Sequence, residues 1–113
     1  MLPTGMRILV CTAPQDMRRS FDTLAQVVRA VLGEEPQSGA LYVFVGKSAT
    51  RVKVLWWDKN GYCLLYKRLH RALFRLPADV PTVGAAMQID SEALAALLAG
   101  VERKSADKAH KVH

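Results

Sequence analysis

The chain has 113 residues, of which 50% are hydrophobic and 23% charged, a composition that is typical of a soluble globular protein and excludes a disordered one. This length corresponds to one domain that can form a hydrophobic core without disulfides. Lysine and arginine number 16 against 10 aspartates and glutamates, so the net charge of +6 and the pI near 9.7 favour a polyanionic partner, most simply nucleic acid.

No export signal or membrane span is expected. The N-terminus lacks a charged segment followed by an apolar run of about 7 to 15 residues, and no stretch approaches ~18 uncharged apolar residues. Cys11 and Cys63 lie in apolar runs without a C-x-x-C pattern, so we expect both to be buried, reduced and chemically inert. These features predict a cytoplasmic protein with no membrane partner.

The first third of the chain is predicted to form a strand and then an amphipathic helix. The β-branched run at residues 7–12 indicates a strand that ends before Pro14. Asp16 or Ser20 can cap the helix, because each accepts a hydrogen bond from the free amides of a first turn. Gly33 is a natural left-handed end for this helix. The predicted apolar face consists of Phe21, Leu24, Ala25, Val28, Val31 and Leu32.

The middle of the chain is predicted to contain three strands joined by short loops. An apolar run at 41–45 precedes a polar connection, and two further apolar runs within 51–68 flank a turn, which is typical of a β-hairpin. The hairpin loop is either residues 60–61 or residues 58–61, and both choices place the same side chains on the same face. The pattern predicts an antiparallel meander with the helix packed across one face.

The two faces of this hairpin differ in composition. One face is predicted to be core and contains Val52, Val54, Trp56, Cys63, Leu65 and Leu69, with Lys67 as its one charge. The other face interleaves aromatic residues with cations, as expected of a surface that stacks on bases and contacts phosphates. The alternative is that a second layer covers its apolar residues while its cations are solvated at the strand ends. This mixed face consists of Arg51, Lys53, Leu55, Trp57, Tyr62, Leu64, Tyr66 and Arg68.

The last third is predicted to return to the core and to end in a short helix. Phe74 and Leu76 are expected in the core, with the basic residues around them outside. Residues 78–84 form a connector, residues 85–89 a short strand, and Asp90 or Ser91 caps a helix that stops at Gly100. The chain is thus predicted to be one α+β domain at 1–100, with an antiparallel sheet, a packed amphipathic helix and a short C-terminal helix, followed by a basic, disordered tail at 101–113.

Signals for an enzyme active site are missing from the sequence. Aspartates near the helix starts and the turn have a structural explanation, and no pair of carboxylates shares a predicted face at useful spacing. Neither a G-x-S-x-G nucleophile motif nor a glycine-rich phosphate loop is present. His110 and His113 have the spacing of zinc ligands but no third ligand nearby, so they are interpreted as a solvated tail. We therefore expect no catalytic residue, no metal site and no cofactor.

Positive charges concentrate around the first helical turn, before the hairpin and after it. If about half a dozen of them contact phosphates, DNA affinity falls by roughly 10³ or more between low and physiological salt. Combined with the aromatic residues of the mixed face, they are the candidate nucleic-acid-binding residues: Arg18, Arg19, Lys47, Arg51, Lys53, Trp57, Tyr62, Tyr66, Lys67, Arg68, Arg71 and Arg75.

Six sequence blocks, in order and with their spacing kept, resemble one bacterial family. The most specific are Lys53-Val-Leu-Trp-Trp-Asp58 and Gly61-Tyr-Cys-Leu-Leu-Tyr-Lys-Arg-Leu69. They are similar to the small accessory protein of IS-66-type insertion sequences, called TnpB or the second open-reading-frame protein, over about residues 1–101. The other blocks are residues 1–7, 16–22, 38–44 and 97–100.

The resemblance implies a protein that is encoded beside a larger transposase and is needed for transposition, without an established chemical activity. The loop after Phe44 departs from the usual pattern, which is richer in arginine and has an aspartate near Thr50. We predict a non-enzymatic accessory factor that binds element-end DNA, the transposase, or both, to help assemble the transposition complex. The alternative is a protein-interaction module, as a homo-oligomer or bound to the transposase, without direct DNA contact.

Overall fold

A six-stranded mixed sheet forms the centre of residues 2–102, the part of the chain that the computed structural model describes. Its strand order is β4-β3-β2-β1-β7-β6, and a separate two-stranded ribbon pairs β5 with β8. This architecture confirms the predicted α+β class, the hairpin and the short C-terminal helix. The elements are β1 (Ile8–Gln15), α1 (Phe21–Val27, continued by a π turn at Val28–Leu32), β2 (Leu41–Gly46), β3 (Arg51–Asp58), β4 (Gly61–Arg68), β5 (Ala72–Leu73), β6 (Thr82–Val83), β7 (Ala86–Ile89), α2 (Ser91–Ala99) and β8 (Val101–Glu102).

Strand β1 joins the meander in parallel, which the sequence analysis did not predict. Strands β2, β3 and β4 pair antiparallel as expected, whereas β1 pairs parallel with β2, with Ile8 opposite Leu41. A helical crossover between neighbouring strands requires parallel pairing, and α1 is that crossover. The other edge of β1 pairs antiparallel with β7.

The prediction that β1 ends before Pro14 was wrong. The strand continues to Gln15, which pairs with Gly46 after the register shifts between Cys11 and Gln15. Proline lacks a ladder donor and is tolerated where regular pairing is interrupted, so Pro14 fits within this irregularity.

Helix α1 begins and ends where local signals indicate, but its apolar face is narrower than predicted. Ser20 is the N-cap residue, and Gly33 ends the helix with φ of 66°. Phe21 and Val31 were expected in the core, yet they are 43% and 42% exposed. Phe21 starts the first turn, and the wider π turn changes the angular position of Val31 relative to a regular helix. The buried side chains of this helix are Leu24, Ala25, Val27, Val28 and Leu32.

Each face of the sheet carries its own hydrophobic cluster, because side chains alternate along the strands. Val43 and Val54 belong to the cluster that packs with α2. Phe44 and Leu55 belong to the cluster that packs with α1, and Tyr62 and Leu64 lie against it. The mixed face of the hairpin is therefore covered by α1 over most of its apolar part, as the alternative interpretation proposed. Asp58 pairs with Gly61, so the loop is Lys59 and Asn60 and neither predicted loop is correct, but the side chains keep the faces that the sequence predicted.

The C-terminal third follows its predicted order with three short strands added, β5, β6 and β8. The Oδ1 atom of Asp90 accepts a hydrogen bond from Ala93 N at 2.8 Å and so caps α2, which ends at Gly100. The predicted connector contains β6, and β8 occupies the first two positions of the predicted tail, 101 and 102. The rest of that tail, with His110 and His113, lies outside the described residues, and the proposed domain division stays a prediction.

The cysteines are both free but differ in burial. Cys11 is buried, and this burial raises the pKa of its thiol above the usual value. Cys63 is only half-buried, contrary to expectation. Phe74 is buried and Leu76 packs against the α2-side cluster, while His70, Arg71 and Arg75 are exposed, as predicted.

Candidate nucleic-acid interface

Two adjoining cavities at one end of the sheet collect several of the predicted basic residues. The larger, of about 560 Å³, lies between the loop after β1 and the loop after β2. The smaller, of about 220 Å³, is lined by Arg51, Tyr66 and Arg68 and shares Arg51 with the larger one. We call the two cavities together the basic groove. The larger cavity is lined by Gln15, Asp16, Met17, Arg18, Gly46, Lys47, Ser48, Thr50 and Arg51.

Parallel pairing of β1 and β2 explains why the two loops meet. The carboxyl ends of parallel neighbours lie at the same edge of a sheet, so the residues after Gln15 and after Gly46 emerge side by side. Contact between the loops is close at Gly46, where an added Cβ atom would lie 2.8 Å from the Cγ atom of Met17. A side chain at position 46 would therefore displace Met17 from the wall of the groove.

The loop between β2 and β3 is held by hydrogen bonds to the segment after β4. Leu69 N donates to Thr50 O at 2.8 Å, and Phe74 N donates to Ala49 O at 2.6 Å. The hydroxyl oxygens of Ser48 and Thr50 lie 2.8 Å apart. These bonds fix the loop that carries the exposed side chain of Lys47.

Asp16 forms a two-pronged ion pair with Arg18 inside the groove. Arg18 Nη2 donates to Asp16 Oδ2 at 2.7 Å and Arg18 Nε donates to Oδ1 at 3.0 Å, while the backbone N of Arg18 donates to Oδ1 at 2.9 Å. The Arg18 guanidinium and amide hold the pKa of the Asp16 carboxyl well below its usual range. Asp16 is thus ionised wherever the protein is folded near neutral pH, and it offsets part of the Arg18 charge.

Lys53 is buried, contrary to the expectation that it lies on an open face. Lys53 is 6% exposed, and its Nζ atom donates a hydrogen bond to Arg19 O at 2.6 Å. The same Nζ atom lies 4.7 Å from the centroid of the Tyr66 ring, close enough for a cation–π interaction. Lys53 therefore links β3 to the start of α1 and supports Tyr66, which is itself 50% exposed.

The structure separates the remaining candidates from the groove. Trp57 and Tyr62 stack edge to face, with ring centroids 4.9 Å apart, at the turn end of the hairpin. Six residues of strand put Trp57 roughly 20 Å from Arg51. Lys67 points to the α2 side, where its Nζ atom donates to Leu98 O at 2.9 Å. Arg19, Arg71 and Arg75 are exposed but line neither cavity of the groove.

Five of the twelve predicted residues thus converge, namely Arg18, Lys47, Arg51, Tyr66 and Arg68. Sequence reasoning missed the role of Asp16, which it assigned to a helix cap. The spacing of Asp16 and Arg18 is a local signal for such an ion pair. The ion pair lies in the same cavity as Lys47 only because β1 and β2 pair in parallel.

Residues 2–102 offer neither a metal site nor a membrane-spanning helix. No group of three or more His, Cys, Asp and Glu side chains in that range is arranged to hold a metal ion. No helix in the same range is long and apolar enough to cross a membrane. The chemistry of the groove is therefore that of four exposed cations, one carboxylate and one half-exposed tyrosine ring.

Comparisons with known proteins give one family. A family model described as IS66 Orf2 like protein matches residues 6–108, which extends past the resemblance at about 1–101. The uncharacterized protein y4hO of Sinorhizobium fredii is 40% identical over 104 residues, which cover 90% of this chain and 88% of that protein. The uncharacterized protein y4jC of the same organism is 33% identical over 98 residues, covering 87% and 81%. No solved structure matches the chain.

Proposed function

Because the chain belongs to the IS66 Orf2 like family, which is associated with transposition, we propose that it is a non-enzymatic accessory factor that holds element DNA in the basic groove. The observation that carries this proposal is the convergence of four exposed cations, Arg18, Lys47, Arg51 and Arg68, on two adjoining cavities. Cations that neutralise phosphates release counterions and supply most of the affinity of DNA-binding proteins.

The geometry of the groove supports contact with a nucleic-acid backbone. Its cations come from three different segments, and the hydrogen bonds of Ala49 and Thr50 to the chain after β4 hold the central loop in place. Arg51 lies between the two cavities, so a backbone that follows the groove passes it in either direction. This DNA contact would take place in the cytoplasm. The outer edge of β4 is unpaired in the sheet, so the element-encoded transposase can bind there while DNA occupies the groove.

Removing the central pair of arginines should weaken DNA binding strongly. The double variant Arg51→Ala/Arg68→Ala is expected to bind labelled element-end DNA at least tenfold more weakly at low salt. Two lost phosphate contacts should also reduce the slope of log affinity against log salt by about two. Fluorescence anisotropy over a salt series, with scrambled DNA beside the element end, measures both quantities.

A matched control removes the same charge elsewhere. Arg7 and Arg29 are surface arginines that pair with Glu34 and Glu35, away from the groove. Arg7→Ala/Arg29→Ala should leave the affinity within about twofold, because neither arginine lines either cavity of the groove. Equal losses in both double variants would mean that net charge alone drives binding. No binding of the unchanged protein at low salt would refute direct DNA contact.

Neutralising the groove carboxylate should have the opposite effect. Asp16→Asn removes a negative charge and frees the Arg18 guanidinium, so DNA affinity at low salt should rise roughly fivefold, which corresponds to about 1 kcal/mol for one charge pair at ~4 Å in water. The same anisotropy titration measures it, with Asp79→Asn as a control for an exposed aspartate outside the groove. Weaker binding by Asp16→Asn would instead mean that Asp16 positions Arg18 for the phosphate.

A second candidate function is binding to the transposase or to another copy of the chain. One observation favours it: β4 is an eight-residue strand at the edge of the sheet, and edge strands pair readily with other chains. Purified transposase that binds the chain with the same affinity after Arg51→Ala/Arg68→Ala would support this function. It becomes the leading proposal if the DNA titrations show no binding.

A further inference from the structure

Tyr66 has one side of its ring supported and about half of its surface open. The Nζ atom of Lys53 lies 4.7 Å from the ring centroid, and Lys53 is only 6% exposed. A buried group lies against the supported side, so the 50% of Tyr66 that meets solvent belongs to the opposite side and the rim of the ring. The open part of the ring is thus a flat aromatic surface that a ligand can reach.

Lys53 also fixes the position of this ring. Its ammonium is held between the Arg19 carbonyl oxygen, 2.6 Å away, and the ring of Tyr66. Lys53 and Tyr66 are directly opposite in the β3–β4 ladder, so the strands themselves set their separation. A ring held in this way loses little conformational entropy when a ligand stacks on it.

Arginines stand next to the open side of the ring. Arg51 and Arg68 form the next pair on the same face of the ladder, two residues along from Lys53 and Tyr66, which is about 7 Å. Together with Tyr66 they line the 220 Å³ cavity. An aromatic surface beside two cations matches a nucleotide, whose base stacks on a ring while its phosphate meets a positive charge.

Stacking on a side chain depends on whether a nucleotide is paired or unpaired. In a duplex each base is already stacked between its neighbours, whereas an unpaired base is free to stack on an aromatic side chain. We propose that the basic groove prefers single-stranded DNA and that Tyr66 is the stacking surface for one unpaired base. This inference rests on the proposed function, because it assigns the strand type that the same groove binds.

A strand-specific titration tests the inference. Anisotropy is measured for one labelled oligonucleotide, single-stranded and annealed to its complement, against the unchanged protein, Tyr66→Leu and Tyr66→Phe. We expect the single strand to bind about tenfold more tightly than the duplex, as one base stack supplies. Tyr66→Leu keeps an apolar side chain but loses the ring, so it should lose this preference, and Tyr66→Phe should keep it. Quenching of 2-aminopurine within the single strand reports stacking directly, and circular dichroism checks that each variant is folded.

The outcomes separate this inference from the function on which it rests. Equal affinity for both strand types, or equal losses for both in Tyr66→Leu, would overturn the stacking role while leaving phosphate binding by the arginines intact. A folded Tyr66→Phe variant without the preference would overturn it as well. Absence of binding to either strand type at low salt would remove the proposed DNA contact itself.

Discussion

Replacing Leu55 by alanine should lower the free energy of unfolding by about 2–5 kcal/mol, the usual range for truncating a buried leucine. Leu55 is 0% exposed and belongs to the cluster beneath α1, together with Phe44 and Leu24. Neighbours in two strands and a helix cannot all move to fill the space, so the change leaves a cavity. Urea denaturation followed by circular dichroism measures the difference.

Val31→Ala is the control for this prediction. Val31 also lies in the α1 segment, but it is 42% exposed, so its truncation should change stability by no more than about 0.5 kcal/mol. A loss for Leu55→Ala as small as that for Val31→Ala would mean that α1 does not cover this face of the hairpin. The comparison of the two variants therefore tests whether α1 covers the mixed face of the hairpin.

In the hairpin, the alternation of side chains along a strand predicts which face each residue occupies, but not whether another layer covers that face. The parity of the sequence correctly placed Val54 and Leu55 on opposite faces, because period-two geometry is local. It did not decide whether a second layer covers the face of Leu55, because that depends on where a helix 30 residues earlier packs. β3 is buried on both faces along Val52–Leu55, which is more typical of a strand inside a covered sheet.

The burial of Lys53 could likewise not be predicted from the neighbouring sequence. Within a run of apolar residues a lysine predicts an exposed position, because a buried ammonium needs partners. Its hydrogen-bond partner is the carbonyl of Arg19, 34 residues away in sequence. Only the parallel β1–α1–β2 unit brings that carbonyl to β3, so no local pattern indicates it. The basic groove depends on this unit too, which explains why only part of the predicted cluster converges.

Helix ends, in contrast, were predictable from short patterns. Ser20 and Gly33 bound the first helix, and Asp90 and Gly100 bound the second. Capping satisfies amides and carbonyls within one turn of the helix end, so a few neighbouring residues carry the whole signal. The fold was thus predictable where its causes are local, and the candidate site only in part, because its walls come from separate segments.

Replacing Gly100 by alanine should lower the free energy of unfolding by about 2–4 kcal/mol, through backbone strain and overpacking together. Gly100 has φ of 78° and ψ of 171°, a region that only glycine adopts readily. An added Cβ atom would lie 2.6 Å from Leu69 Cδ1 and 3.2 Å from Leu73 O. The backbone oxygen cannot rotate away as a side chain does, so the β5–β8 ribbon has to shift. Urea denaturation measures this loss.

Gly33→Ala is the control for this prediction. Gly33 also has a positive φ, 66°, but with ψ of 29° it lies in the left-handed helical region, and nothing lies within 4 Å of the position of its Cβ. Its replacement should cost only about 1–2 kcal/mol, the penalty for an L-residue in that region. A larger loss at Gly100 would therefore measure the contact with Leu69 and Leu73 together with the greater backbone strain of its extended, positive-φ conformation. Equal losses would show that the link from α2 to β8 adjusts freely, and that the ribbon contributes little to the stability of the fold.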